Sequence, residues 1–242
     1  MAYYFQRRVL PFPSTNMKAT SDILLREGFG LKSDIEHDSK ATRDYEFDFL
    51  NITKEFDNGD IDWTGKGTSK LWRYNLHYFD YIHEPRRRPE AKAHLISHWI
   101  ANNHCGSEDA WEPYTLSLRI VNWIKFFSNP ENQSLVTRDW LASLHQQACW
   151  LEQNLEYHIL GNHLLKNAKA LFFAGMYFDG GDADRWLIKS IKLLEDQANE
   201  QILPDGGHFE RSPMYHSIVC HDFLDILSLA LGMQDRIGAA YS

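Results

Sequence analysis

From Ser69 onward, apolar residues recur at steps of three and four, in runs separated by proline- and glycine-containing turns. Trp72, Leu76, Phe79 and Ile82 form one such stripe, and Leu116, Ile120, Trp123 and Phe127 form another. Leu141, Leu144, Ala148, Leu151 and Leu155 follow the same rule, as do Leu187, Ile191, Leu194, Ala198 and Ile202. A single apolar face at that period is the mark of a helix that packs on its neighbours. Turn residues punctuate the pattern at Pro85, Pro89, Pro113, Pro130, Gly161, Gly180-Gly181 and Pro204–Gly207. Together they predict helices over 69–83, 89–103, 113–128, 139–160, 162–179, 183–202 and 212–233. The expected fold class is all-α.

Residues 1–68 read differently, as an N-terminal arm. They carry Pro11 and Pro13, charge-rich patches such as KSDIEHDSK, a predicted short helix near Ser21–Glu27, and a β-like run from Tyr45 to Leu50. Phe47, Phe49 and Trp63 are the residues expected to pack this arm on a helical body spanning 69–242.

Helices joined by short connections run antiparallel. The helices that start near 69, 113, 162 and 212 therefore point one way, with their N-termini at one rim. That brings Trp111 and Tyr114, then Asn162 and His163, then His208 through His216 to the same end of the assembly.

Composition narrows the chemistry. A net charge of −8 argues against a nucleic-acid binder that relies on overall charge. Cys105, Cys149 and Cys220 lack any C-x-x-C spacing, so neither a disulfide framework nor a zinc knuckle is readable. His94/His98 and His216/His221 lack recognised metal spacing, no phosphate-binding glycine loop or G-x-S-x-G occurs, and no metal or cofactor is expected. The longest apolar run, Ala170–Phe178, is too short to span a membrane, and the N-terminus shows no signal core. Taken at face value, the start predicts a cytoplasmic chain.

Two segments concentrate candidate chemistry. In LEYHILGNHLLKNAKALFFAG, Gly161 suits the end of one helix and Asn162 the N-cap of the next, with His163 beside it. Free N–H groups and the helix dipole favour an anion there. In PDGGHFERSPMYHSIVCHD, Ser212-Pro213 is a helix start with Tyr215 and His216 in its first turn, and His208, Glu210 and Arg211 on the loop before it.

These stretches, with SKLWRYNLHYFDYI and WEPYTLSLRIVNWIKF, resemble the heparinase II/III-like family of polysaccharide lyases, in the expected order over residues 45–230. The resemblance implies an incomplete (α/α) toroid followed by an antiparallel β-sandwich, cleavage of acidic polysaccharides by β-elimination, and export to the periplasm. It makes Asn162 the group that neutralises a uronate carboxylate, His163 its neighbour, and Tyr215 the catalytic phenol. Trp111, Tyr114, His208, Glu210, Arg211 and His216 become the expected substrate-binding residues. The family's β domain supplies a further catalytic side chain, usually His, and is expected to complete the cleft. Its absence from this sequence implies a fragment or a truncated relative. Two other readings stay open: an inverting glycoside hydrolase using Asp205 and Glu210, and a non-catalytic polysaccharide-binding remnant.

Overall fold

The computed structural model describes residues 23–29, 31, 43–159, 161–234 and 237–238. Among them run seven α-helices: α1 Lys70–Tyr78, α2 Pro89–Asn102, α3 Pro113–Ser128, α4 Arg138–Gln153, α5 Asn162–Tyr177, α6 Gly181–Gln201 and α7 Pro213–Gly232. Their starts follow local chemistry. The side chains of Ser69, Thr137 and Ser212 each accept a hydrogen bond from a first-turn N–H, and Pro89, Pro113 and Pro213 open their helices.

The helices form two layers. α1 packs on α3, α3 on α5 and α5 on α7, while α2 packs on α4 behind them and α6 lies along α5. This is part of an (α/α) toroid. α5 is the hub: from Asn167 to Tyr177 every residue is buried. At Gly175 an added Cβ would sit 2.8 Å from the Leu187 amide nitrogen and 2.9 Å from the Ala183 carbonyl oxygen. The α5–α6 pair therefore needs glycine at its closest approach. Behind the inner layer, the fully buried Arg119 of α3 donates to Gln147 Oε1 (2.8 Å), the His77 carbonyl (3.1 Å) and the Ala110 carbonyl (2.8 Å), tying α1, α4 and the loop before α3.

Three expectations need correction. The stripe over 69–83 is a helix only to Tyr78; Phe79 turns left-handed (φ 64°), and Ile82 reaches the core from a 3-10 turn, Asp80–His83. The helix predicted over 139–160 ends at Gln153. Leu155 is buried, as its place in the stripe suggested, but from non-helical chain. Asn167 of α5 explains the break, because its Oδ1 takes the Glu156 N–H (2.9 Å) that a continuing helix would have used. The short helix near Ser21–Glu27 is also absent where it can be judged. Ser21 and Asp22 lie outside the described residues, and Leu24–Leu25 form a strand, β1.

β2 (Glu46–Phe49) and β3 (Ile52–Glu55) make an antiparallel hairpin with Phe47 opposite Lys54. Leu50 and Asn51, both at positive φ, form its two-residue turn. Phe47 meets Tyr81 at 4.9 Å and Phe49 meets Trp72 at 5.3 Å, while Trp63 stacks on Phe79 at 5.8 Å. β1 pairs antiparallel with β4 (Phe178–Asp179), the segment between α5 and α6. Short two-stranded pairs are thus the sheet content among the described residues, and the body is helical.

Candidate functional site

The N-termini of α3, α5 and α7 meet at one rim. Gly161, not Asn162, is the N-cap of α5: its φ of 87° and ψ of −147° lie outside the range of ordinary L-residues, and a Cβ there would stand 2.9 Å from Glu210 Oε1. Asn162 becomes the first helical residue, so its amide does not cap the helix and is free for other contacts. It is almost wholly buried and hydrogen-bonds the Tyr114 phenol from the second position of α3. The Tyr114 ring lies 4.4 Å from the His163 ring.

His163 is oriented from behind. Its Nδ1 lies 3.2 Å from Glu156 Oε1, and Glu156 is buried and accepts from Asn167 Nδ2 at 3.1 Å. A carboxylate at Nδ1 selects the tautomer with the proton there and leaves the Nε2 lone pair for the other side. Neither Glu156 nor Asn167 stands out in the sequence. Their one signal is spacing: Asn167 follows His163 by four, one helical turn along α5.

Burial pushes the Tyr114 phenol up to about 12; the nearby Asp222 and Tyr215 add to the rise, while the Asn162 hydrogen bond opposes it. Tyr114 is therefore a neutral phenol at physiological pH and a neighbour of Tyr215. Tyr215 sits half-buried in the first turn of α7, its N–H bonded to the capping Ser212 Oγ at 3.5 Å. Its ring stacks on His208 at 6.5 Å and 30°.

His208 is not a surface ligand but a buried strut. Its Nε2 pairs with Gln201 Oε1 (3.1 Å), and its Nδ1 accepts the Glu210 N–H (3.4 Å). Gln201 Nε2 donates to the Gly161 carbonyl (2.9 Å). The loop before Tyr215 is thus bolted to the turn before Asn162. A backbone bridge between Ile202 and His208 closes the loop, and Asp205 turns inward on it, accepting the Gly207 N–H at 2.9 Å.

The remaining candidates separate. Trp111 is core: it is 3% exposed, donates Nε1–H to the Asn103 carbonyl (3.2 Å), and packs against Trp99 and Trp150. It offers no open ring face. Glu210 lies against Gly161 at the rim, and Arg211 is exposed at the left-handed φ of 53°. His216 points elsewhere, lining an apolar groove with Ile202, Cys220, Phe223, Leu224 and Leu227.

Sequence reasoning missed two clusters. Lys166 and Lys169 continue the Asn162 stripe down α5, and Asp222 and Asp225 continue the Tyr215 stripe down α7; they form ion pairs of 2.5–2.9 Å. Away from the rim, ligand atoms of His145, Cys149 and Asp182 lie within 4.8 Å of one another. The two imidazole nitrogens there face different partners, Nδ1 towards Cys149 Sγ (3.6 Å) and Nε2 towards Asp182 Oδ2 (3.2 Å). One ion could not take both nitrogens. Among the described residues, no helix is long and apolar enough to cross a membrane.

The profile of the family described as Heparinase II/III N-terminus matches residues 1–242. A heparin-sulfate lyase of Pedobacter heparinus is 32% identical over 151 residues, covering 58% of this chain and 22% of the relative. One from Bacteroides thetaiotaomicron is 24% identical over 268 residues, covering 94% of this chain and 37% of the relative. The chain thus spans well under half the length of either. Among solved structures, heparinase III superposes with a TM-score of 0.61 at 23% identity, over 76% of this chain and 31% of that one. A mutant of the heparan sulfate lyase HepC from Pedobacter heparinus gives 0.60 at 23% identity, over 82% and 36%. These likenesses carry the fold.

Proposed function

The chain belongs to the heparinase II/III family, and from that premise we propose that it forms the helical part of a lyase site that cleaves a uronate-containing polysaccharide by β-elimination. The observation that carries the reading is the meeting of Asn162, Tyr114, His163 and Tyr215 at one rim, through a hydrogen bond, a 4.4 Å ring contact and neighbouring phenols.

Elimination removes the C5 proton next to the uronate carboxylate and expels the C4 oxygen. The proton is weakly acidic while the carboxylate is charged, so donors must take up that charge as the enolate forms. An Asn162 amide oriented by Tyr114 suits that task, and the first turn of α5 adds unpaired N–H groups and the positive end of its dipole. His163, with Nδ1 turned to Glu156, offers Nε2 to the same carboxylate or to a proton in transit.

Tyr215 is the group we assign to proton transfer at C5 and at the leaving oxygen. A phenol acting as base needs surroundings that favour its anion. The N-terminus of α7 and the exposed Arg211 supply positive potential. Tyr114 differs: held protonated by burial, it serves as a fixed hydrogen-bonding partner.

The relatives are named heparin-sulfate lyases, so heparan sulfate heads the list of substrates to try. Incubating the full-length protein with heparan sulfate and other uronate polymers, and following the ultraviolet absorbance of the C4–C5 double bond, tests the reading. Chain shortening without that absorbance would mean hydrolysis, and binding without either would mean a non-catalytic remnant.

A further inference from the structure

At the seam between α4 and α6, a thiol, an imidazole and a carboxylate stand in one line. Cys149 follows His145 by four residues on α4, so the two side chains share a helical face. Cys149 Sγ lies 3.6 Å from His145 Nδ1, a hydrogen-bonding distance for sulfur. His145 Nε2 lies 3.2 Å from Oδ2 of Asp182, in the first turn of α6. An ionised carboxylate only accepts, so the proton between His145 and Asp182 belongs to Nε2. That leaves the Nδ1 lone pair to accept the Cys149 S–H. Nucleophile, base and orienting carboxylate follow in order, the arrangement that activates a thiol.

The neighbours of this line hold it in place. The His145 ring is buried and meets the rings of Trp186 at 5.0 Å and Phe178 at 5.4 Å. Asp182 Oδ1 accepts from Arg185 Nη1 at 3.0 Å, which leaves Oδ2 turned to His145. Arg185 also grips Glu152 of α4 through hydrogen bonds of 2.9 and 3.0 Å, and Glu152 Oε2 accepts the Trp186 indole N–H at 3.0 Å. The N-terminus of α6 favours the negative charge that Asp182 carries. Cys149 is partly exposed, so a small solute can reach its sulfur. A cysteine that only filled space on α4 would need no imidazole at its sulfur and no carboxylate behind that imidazole.

We propose that Cys149 is a site of oxidative modification by hydroperoxides, with His145 as its base and Asp182 orienting His145. His145 Nδ1 takes the thiol proton, and Asp182 balances the imidazolium that forms. The thiolate sulfur attacks one oxygen of hydrogen peroxide: an S–O bond forms and the O–O bond breaks. Sulfur loses two electrons to the peroxide and becomes a sulfenic acid. The departing hydroxide takes the proton from Nδ1 and leaves as water, which restores the neutral imidazole. No rim residue takes part, so the site is independent of the lyase reading.

Cys105 and Cys220 serve as internal standards. Both are exposed while Cys149 is only partly so, and access alone ranks Cys149 last. The full-length protein is treated with hydrogen peroxide at about pH 6, where an unassisted thiol is almost wholly protonated. Dimedone traps the sulfenic acid, and peptide mass spectrometry reads the labelling rate of each cysteine. Cys149 is expected to label about tenfold or more faster than Cys105 and Cys220. His145→Gln and Asp182→Asn should each slow Cys149 and leave the other two rates unchanged. Labelling of Cys149 no faster than that of the exposed pair overturns the proposal. A fast Cys149 that keeps its rate in both variants overturns it as well. A variant in which all three rates rise together has loosened its fold, and the ranking in the unaltered protein then decides.

Discussion

Gln201 Nε2 donates to the Gly161 carbonyl across 2.9 Å, while Gln201 Oε1 pairs with His208 Nε2 at 3.1 Å. One amide at the end of α6 thus fixes the distance between the turn that launches Asn162 and the loop that launches Tyr215. Gln201→Ala leaves the buried His208 Nε2 without its partner and should cost ~1–3 kcal/mol. It should also speed hydrogen exchange at the amides of Asn162 and His163, some distance from the lost side chain. Denaturation together with exchange measurements checks both. Stability loss with exchange unchanged at those amides would make Gln201 a packing residue with no hold on the site.

His77 sets an acid limit on the fold. Burial, helped by Arg119, pulls its imidazole down from 6.5 to about 3, and its Nδ1 accepts the Trp99 indole N–H at 3.0 Å. Between those pH values the unfolded chain binds a proton that the folded chain refuses. His77 therefore leaves stability intact above pH 6.5 and withdraws it as the pH falls towards 3, by up to about 1.4 kcal/mol per pH unit. Denaturant midpoints from pH 7 to 4 should fall steeply for the unaltered protein and less steeply for His77→Gln. Parallel slopes would place the acid sensitivity elsewhere.

Much of this architecture was legible in residue spacing. Apolar stripes and turn residues located the seven helices described, and counting antiparallel connections assigned Trp111, Tyr114, Asn162, His163 and residues 208–216 to one rim, of which Trp111 lies in the core and His216 in the apolar groove. The failures share a cause: side chains from distant segments compete for the backbone. The end of α4 depends on Asn167, and the β1–β4 pair depends on an edge that exists only after α5 has packed. Neither leaves a local signal. The aromatic residues misled differently. Trp111 and Tyr114 look alike as rim candidates, yet the indole N–H of Trp111 finds the Asn103 carbonyl in the core, and Tyr114 keeps its hydroxyl towards Asn162.

The outer face of α7 carries apolar side chains in the open. Leu224, Leu227 and Leu231 are each more than half exposed, and Leu224 and Leu227 line the groove shared with His216. An apolar strip of this kind favours association. The 242-residue chain should self-associate in light scattering, and Leu224→Glu combined with Leu227→Glu should shift it towards monomer. A monomer at high concentration before any substitution would show that the strip is too narrow to drive contact.

Asn162 and Tyr215 differ in what their loss should do. Tyr215→Phe keeps the ring on His208 and removes one hydroxyl, so stability should hold. In the full-length protein, turnover of a uronate polymer should fall by ~10²–10⁴, the scale of a lost acid or base. Asn162→Ala is different because Gly161, not Asn162, caps α5. The variant escapes a capping penalty but strips the Tyr114 phenol of a buried hydrogen bond, costing ~1 kcal/mol. Removing the other partner as well separates the roles. In Asn162→Ala combined with Tyr114→Phe, no phenol is left unpaired, so stability should recover while turnover stays low. Recovery of turnover along with stability would mean that Asn162 serves only to hold Tyr114, and the carboxylate-neutralising role would pass to His163.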